Sequence, residues 1–333
     1  MRMLVCPDSF KGTLAAAEVA QAIGAGIEDA GGEADLCPTA DGGEGTAETV
    51  RAAIGGETRT AAAHDPLGRP IEASFVLVED GTTAIVDTAA ASGLSLVVPA
   101  ERDAEAASTY GTGELIAAAI EAGAHRVLLA AGGSATTDGG LGAIEALRDR
   151  GLLPDSMPPV PLTVLCDVTT SFENAARVFA PQKGADPATV DRLTERLDRI
   201  AAELPRDPRR VPMTGCAGGL SGGLWAFGAE LVPGAEFVLD LLGFADRLTA
   251  ADAAVTGEGR IDSQSLEGKI VGQIAAACVA AGRPLHVVVG QDALTPAAAE
   301  AAGIASITEA GTLPTLREAG RRLASALGDE NAD

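Results

Sequence analysis

Apolar positions along the first thirty residues follow two different periods. Residues 3–6 form an unbroken apolar run, whereas Leu14, Val19, Ile23 and Ile27 return at helical spacing, so the sequence predicts a strand and then a helix over about 13–30. A short strand at 34–36 and a helix from about residue 45 repeat the unit, and strand–helix–strand–helix is the grammar of a parallel sheet. From 58 to 88 the pattern breaks into short extended runs, with Asp80-Gly81 marking a hairpin turn between 71–78 and 83–88. A helix over 113–122, a buried strand over 126–130 and a glycine-rich turn over 132–140 that opens another helix come next. The proline-rich stretches 150–161 and 205–212 read as loops. From residue 252 the alternation returns, with strands at 253–255, 285–289 and 304–308 and helices at 269–281, at 296–302 and on to about 327.

Because the two ends of the chain share one grammar, the expected fold is α/β with two domains. A discontinuous Rossmann-like parallel-sheet domain, 1–60 plus 240–333, carries an inserted mixed α/β domain at 61–239. The length of 333 residues is enough for two cores without disulfides or metals. Composition narrows the function more than the fold. With 47 acidic against 24 basic side chains the formal charge is −23, which disfavours a nucleic-acid or membrane-surface partner. Cys6, Cys37, Cys166, Cys216 and Cys278 are scattered without metal-binding spacing and read as buried thiols. No run approaches 18 uncharged apolar residues and the apolar start is too short for a signal peptide, so a cytoplasmic monomer or homodimer is expected.

Against that acidic background, lysine is the sharpest clue. Only Lys11, Lys183 and Lys269 occur among the 24 basic residues, and each abuts a glycine. A chain that otherwise uses arginine keeps lysine where a compact ammonium suits phosphate oxygens beside backbone amides. Four glycine-rich segments, 41–46, 132–140, 218–223 and 256–262, follow strands or open helices, where exposed N–H groups bind anions. None matches the P-loop or the dinucleotide fingerprint. Asp8, Asp41, Glu44, Asp138, Asp167, Glu258 and Asp262 lie at or just after predicted strand ends, the edge at which open α/β sheets bind ligands. Carboxylates, lysines and glycine amides together suit Mg2+-assisted phosphoryl transfer, although each carboxylate alone reads equally well as a helix cap. His64, His125 and His286 have no serine or cysteine partner in a recognisable motif, so a histidine-based triad is not expected.

The ordered motifs Pro7-Asp8-Ser9-Phe10-Lys11-Gly12, Ala40-Asp41-Gly42-Gly43-Glu44-Gly45-Thr46, Ala91-Ser92-Gly93, Tyr110-Gly111-Thr112-Gly113-Glu114, Pro181-Gln182-Lys183-Gly184 and Gly257-Glu258-Gly259-Arg260-Ile261-Asp262 resemble the bacterial glycerate kinases of the type 1 family over nearly the full chain. The resemblance implies two α/β domains with a cleft, and ATP- and Mg2+-dependent phosphorylation of D-glycerate to 2-phosphoglycerate, with 3-phosphoglycerate as the alternative product. It makes Lys11, Asp41 and Asp262 catalytic candidates and Asp8, Ser9, Ser92, Arg260 and Lys269 substrate-binding ones. Gly132, Gly133, Ser134, Thr136, Asp138 and Lys183 are expected at the nucleotide phosphates, and Glu44, Asp167 and Glu258 at the metal. The chain departs from the family in a shortened 140–166 connection, in 169–174 after Cys166-Asp167-Val168, and in Val289-Gly290-Gln291 where the family has Ala-Gly-Ser. A kinase of another small 2-hydroxy acid and a catalytically silent nucleotide-binding relative are the alternative readings. Retention of the three lysines argues against the second.

Overall fold

A computed structural model describes residues 1–10, 12–153, 159–266 and 269–330. In chain order the elements are β1 (Arg2–Val5), α1 (Ala16–Asp29), β2 (Glu33–Leu36), α2 (Thr46–Ile54), β3 (Glu57–His64), β4 (Pro70–Val78), β5 (Thr83–Asp87), α3 (Ala89–Ser92), α4 (Tyr110–Glu121), β6 (Arg126–Ala130), α5 (Leu141–Asp149) and β7 (Leu162–Cys166). There follow α6 (Ala175–Phe179), α7 (Pro187–Glu203), α8 (Cys216–Ala226), β8 (Glu230–Pro233), α9 (Gly234–Leu241), α10 (Phe244–Thr249), β9 (Ala253–Ile261), α11 (Ile270–Ala281), β10 (Leu285–Asp292), α12 (Pro296–Ala301), β11 (Ile304–Glu309) and α13 (Leu313–Glu330). Among the described residues no helix is long and apolar enough to cross a membrane.

The elements gather into two compact units, Met1–Asp41 with Ala52–Ile54 and Ala235–Asp333, and Gly42–Arg51 with Gly55–Gly234. The first is built on a parallel sheet of order β11-β10-β9-β1-β2. Its core joins Met3 and Val5 of β1, Val19, Ile23 and Ile27 of α1, Val255 and Val288, and Leu316 of α13. The second holds the sheet β3-β4-β5-β6-β7-β8, in which β3, β4 and β5 pair antiparallel and β5 through β8 pair parallel. Its centre is β6, whose Val127, Leu128 and Leu129 are fully buried, each burial contributing about 1.5–3 kcal/mol relative to exposure. The chain is thus α/β, a discontinuous parallel-sheet unit with a mixed α/β unit inserted, as the alternating pattern predicts.

Two local expectations change. The first helix begins at Ala16 because Phe10 and Leu14 form a bridge and Thr13 Oγ1 donates to the Phe10 carbonyl at 2.8 Å, which ties Thr13 and Leu14 back to Phe10 before the helix starts. The glycine-rich run at 256–262, expected as a turn after a short strand, is mostly strand. Gly257 through Ile261 stay in β9 because β10 continues beside them, pairing Val289 with Glu258, Gln291 with Arg260 and Asp292 with Ile261.

Candidate active site

In the parallel unit, β1 leads through α1 to β2 on one side, while β9 leads to β10 and β11 on the other. The order of the strands therefore reverses between β1 and β9, the position at which open α/β sheets bind ligands. The two strands part there in a defined way. The pairing of β1 with β9 ends at Val5 and Val255, after which Cys6 and Asp8 still donate backbone N–H bonds to Val255 and Gly257, both at 2.8 Å. β9 then runs on alone with β10, so Glu258 to Ile261 form a ledge beyond the point where β1 turns off. Gly257 suits this crossing, since a Cβ there would stand 2.0 Å from the Val288 carbonyl oxygen.

A cavity of about 480 Å³ opens against that ledge. Asp8, Ser9 and Phe10 line it after β1, Asp41 after β2, and Glu258, Gly259 and Arg260 along β9. Lys269, Ile270 and Val271 at the start of α11, together with Gly290 and Gln291 on β10, complete much of the remaining wall. Asp8 is buried and its Oδ1 accepts the Ser9 N–H at 2.6 Å, which fixes the carboxylate in the turn. Lys269 occupies the N-cap of the twelve-residue α11 in extended backbone geometry, so a flexible ammonium and a helix N-terminus border the same cavity. Arg260 adds a planar guanidinium. Gln291, where the family pattern has serine, adds an amide. Three acids thus share one concave surface with two cations, an arrangement suited to a small anion that also carries hydroxyl groups.

The inserted unit holds a second cluster at the carboxyl ends of β5, β6 and β7. Gly132 and Gly133 follow β6 and lie against the turn before α2: a Cβ on Gly132 would stand 2.5 Å from the Gly43 Cα, and one on Gly133 would stand 2.7 Å from Glu44 Oε2. Ser95 Oγ donates to Glu44 Oε1 at 3.4 Å. Asp87, the last residue of β5, accepts the N–H groups of Gly45 at 3.0 Å and Ala47 at 3.1 Å. Its carboxyl is raised to about 7, by desolvation first and by the Glu44 and Glu48 charges, against the lowering pull of those two N–H bonds. Lys183 is only 2% exposed and donates to Ser134 Oγ at 3.0 Å and to the Thr136 carbonyl at 2.5 Å. Burial draws its ammonium down to about 7, against the opposing pull of Asp138 and Asp167.

Of the residues expected from sequence, Asp8, Ser9, Asp41, Glu258, Arg260 and Lys269 come together in the cavity. Lys11 lies outside the described residues. Asp262 follows β9 outside the cavity lining, where its Oδ1 accepts the Gln264 N–H at 3.0 Å as a turn-forming carboxylate. Ser92 is fully buried in the inserted unit and accepts the Thr112 hydroxyl hydrogen at 2.7 Å. Asp138 is 2% exposed and receives four donors: the Thr109 N–H and hydroxyl, both at 2.8 Å, the Gly140 N–H at 3.1 Å and the Gly142 N–H at 3.2 Å. Thr136 is fully buried, and Asp167 is exposed just past β7. Among the described residues no three Asp, Glu, His or Cys side chains form a metal-holding group. Asp87 carried no sequence signal, because it ends a hairpin strand and its partners lie some forty residues earlier.

The glycerate kinase family profile matches residues 3–156 and 149–329 of the chain. The glycerate 2-kinase of Escherichia coli is 39% identical over 304 residues, covering 81% of this chain and 80% of that protein. A glycerate kinase of Halalkalibacterium halodurans is 37% identical over 322 residues, covering 86% and 85% respectively. The crystal structure of a glycerate kinase 2 from Salmonella typhimurium matches with a TM-score of 0.84 at 34% identity, over 100% of both chains. The ordered motifs, the sheet topology that places them and these matches agree, and the chain belongs to the glycerate kinase family.

Proposed function

We propose that this chain transfers the terminal phosphoryl group of ATP to the 2-hydroxyl of D-glycerate, giving 2-phosphoglycerate, in the cytoplasm and with Mg2+. The observation that carries the reading is the gathering of Arg260, Lys269 and three carboxylates in one cavity at the strand-order reversal. The guanidinium of Arg260 and the ammonium at the start of α11 hold the acid's carboxylate, by charge and by direct hydrogen bonds. Asp8 and Asp41 accept the hydroxyl hydrogens, and the one facing the 2-hydroxyl orients it and takes its proton as the phosphoryl group arrives. Gly132, Gly133 and Ser134 bring close-packed backbone to the phosphates, with Lys183 and Asp138 holding that loop from behind.

The donor set fits Mg2+, which keeps most of its waters and takes one or two carboxylates together with substrate phosphates. Glu258, which lines the cavity, would be a carboxylate for it in the parallel unit, and Glu44 and Asp167 are separate candidates within the inserted unit. When bound, Mg2+ supplies neutralisation of charge on the transferred oxygens. Lys11, one turn after β1 in sequence, is proposed as a contact to the acid or the phosphoryl group. Lys11→Ala is expected to lower kcat/KM about 100-fold, equivalent to ~3 kcal/mol of transition-state stabilisation.

The test is ADP release measured with D-glycerate, L-glycerate, glycolate and tartronate, with the product's phosphate position read by NMR. Preferential turnover of D-glycerate to the 2-phosphate is expected. Preference for another acid replaces the substrate, phosphate on the 3-position replaces the product, and absence of turnover with all four acids overturns the kinase reading.

A further inference from the structure

The turn Gly42-Gly43-Glu44-Gly45 carries one side chain, Glu44, and is closed locally by Thr46 Oγ1, which donates to the Gly43 carbonyl at 2.8 Å. Gly45 sits at the N-cap of α2 with φ +88, a left-handed conformation that favours glycine and leaves the helix without a capping side chain from its own residue. The cap comes instead from the carboxyl end of β5 in the same unit. Asp87 spans α2's first turn, with Oδ2 on the Gly45 N–H and Oδ1 on the Ala47 N–H. At the neighbouring end of β6, a Cβ on Gly132 would stand 2.5 Å from the Gly43 Cα, and one on Gly133 would stand 2.7 Å from Glu44 Oε2. The backbone at Glu44 is thus flanked by the Asp87 carboxylate and the Gly132 and Gly133 backbone at the carboxyl ends of β5 and β6, with Ser95 Oγ on the Glu44 carboxylate at 3.4 Å.

We infer that Asp87 is a positioning residue that places Glu44 for phosphoryl transfer by clamping the first turn of α2. This rests on the proposed kinase function and names a residue of the inserted unit that touches neither acid nor nucleotide in that reading. Asp87 forms the only side-chain bonds recorded to the Gly45 and Ala47 N–H groups among the described residues. Glu48, the other acid in that turn, is held away by Arg51, whose Nη2 lies 2.6 Å from Glu48 Oε1. Loss of the clamp frees Glu44 while the central strands keep their ladders.

The experiment is a double-mutant cycle of Asp87→Asn and Glu44→Gln, with ADP release at saturating D-glycerate and ATP followed against free Mg2+. Asp87→Asn keeps the shape but loses one of two acceptors, and is expected to lower kcat about 10-fold and to raise the Mg2+ needed for half-maximal rate several-fold. The KM for D-glycerate should stay within about twofold. In the Glu44→Gln background the same change should have less than a twofold effect, because its consequence passes through Glu44. Asp87→Glu, which restores two oxygens, should recover part of the rate. Effects that multiply independently in the cycle, or an unchanged Mg2+ dependence in Asp87→Asn, overturn the positioning role while leaving the kinase reading standing. A wild-type chain that forms no ADP overturns both.

Discussion

The ammonium of Lys183 lies 3.0 Å from the hydroxyl of Ser134, and the Thr136 carbonyl takes a second of its hydrogens. A lysine expected at a phosphate is thus engaged from within by the glycine-rich loop that it abuts. Its folded value of about 7 is below the ordinary 10.5, so the native state resists protonation. The stability linked to the neutral amine is complete above about pH 10.5 and is lost as pH falls toward 7. The melting temperature of the wild type relative to Lys183→Met should therefore decrease steadily from pH 10 to pH 7. Parallel melting curves across that window would show that the buried amine is not the source.

Asp138 is expected to report on stability first. Its four donors belong to the starts of α4 and α5 and to the turn between β6 and α5, so one carboxylate closes two helix N-termini. Asp138→Ala leaves several buried donors unpaired at about 1–3 kcal/mol each, and a total loss of roughly 3 kcal/mol or more should appear in urea unfolding with an unchanged slope. A loss under about 1 kcal/mol would mean that water replaces the carboxylate.

Gly132 tests the packing of the glycine turn against β6's end. A methyl at this position meets the Gly43 Cα at 2.5 Å and the Glu44 N at 3.0 Å, both backbone atoms that cannot swing aside. Gly132→Ala should cost about 1–3 kcal/mol by overpacking and displace Glu44 with it. The expected signature is a fall in kcat at least as large as that of Asp87→Asn. Full activity in a stable Gly132→Ala protein would show that the turn tolerates movement.

The sequence was most legible where pattern and neighbours agree. The strand expected over 126–130, apolar and buried from Val127 to Ala130, is β6 to the residue because both faces of a central parallel strand are buried. The length of β9 was not legible, since Gly257 and Gly259 argue for a turn and only the continuation of β10 beside them makes a strand. Helix α7 is absent from the sequence reading although its signals are strong: an Asp186 cap, Pro187 at its first position, and Leu193, Leu197 and Ile200 recurring on its buried face against a charged one. At the site, Asp41, Glu258, Gly259, Arg260 and Lys269 of the glycine and lysine motifs line the cavity, whereas the 132–140 and 218–223 segments and Lys183 do not. The motifs do not reveal the long-range partners of Ser92, Asp138 and Lys183, because Thr112, Thr109 and Ser134 lie 20, 29 and 49 residues away. Asp87 stayed hidden for the same reason.

Arg260 and Lys269 supply the positive charge among the described residues lining the cavity, facing Asp8, Asp41 and Glu258. A carboxylate substrate entering this acidic chain meets net repulsion until it reaches those two groups, so their removal should act on binding of the acid before it acts on chemistry. Arg260→Ala and Lys269→Ala are each expected to raise the KM for D-glycerate about 10- to 100-fold, corresponding to ~1.5–3 kcal/mol for a charge-assisted bond, with the KM for ATP changed less than threefold. The two positions should differ in what rescues them. Arg260→Lys keeps the charge but loses the planar fork and should recover little, whereas Lys269→Arg keeps charge at the start of α11 and should recover most of the loss. Initial-rate kinetics over a range of both substrates separates these outcomes, and an ATP-specific rise in KM for either variant would move the nucleotide, and not the acid, into this cavity.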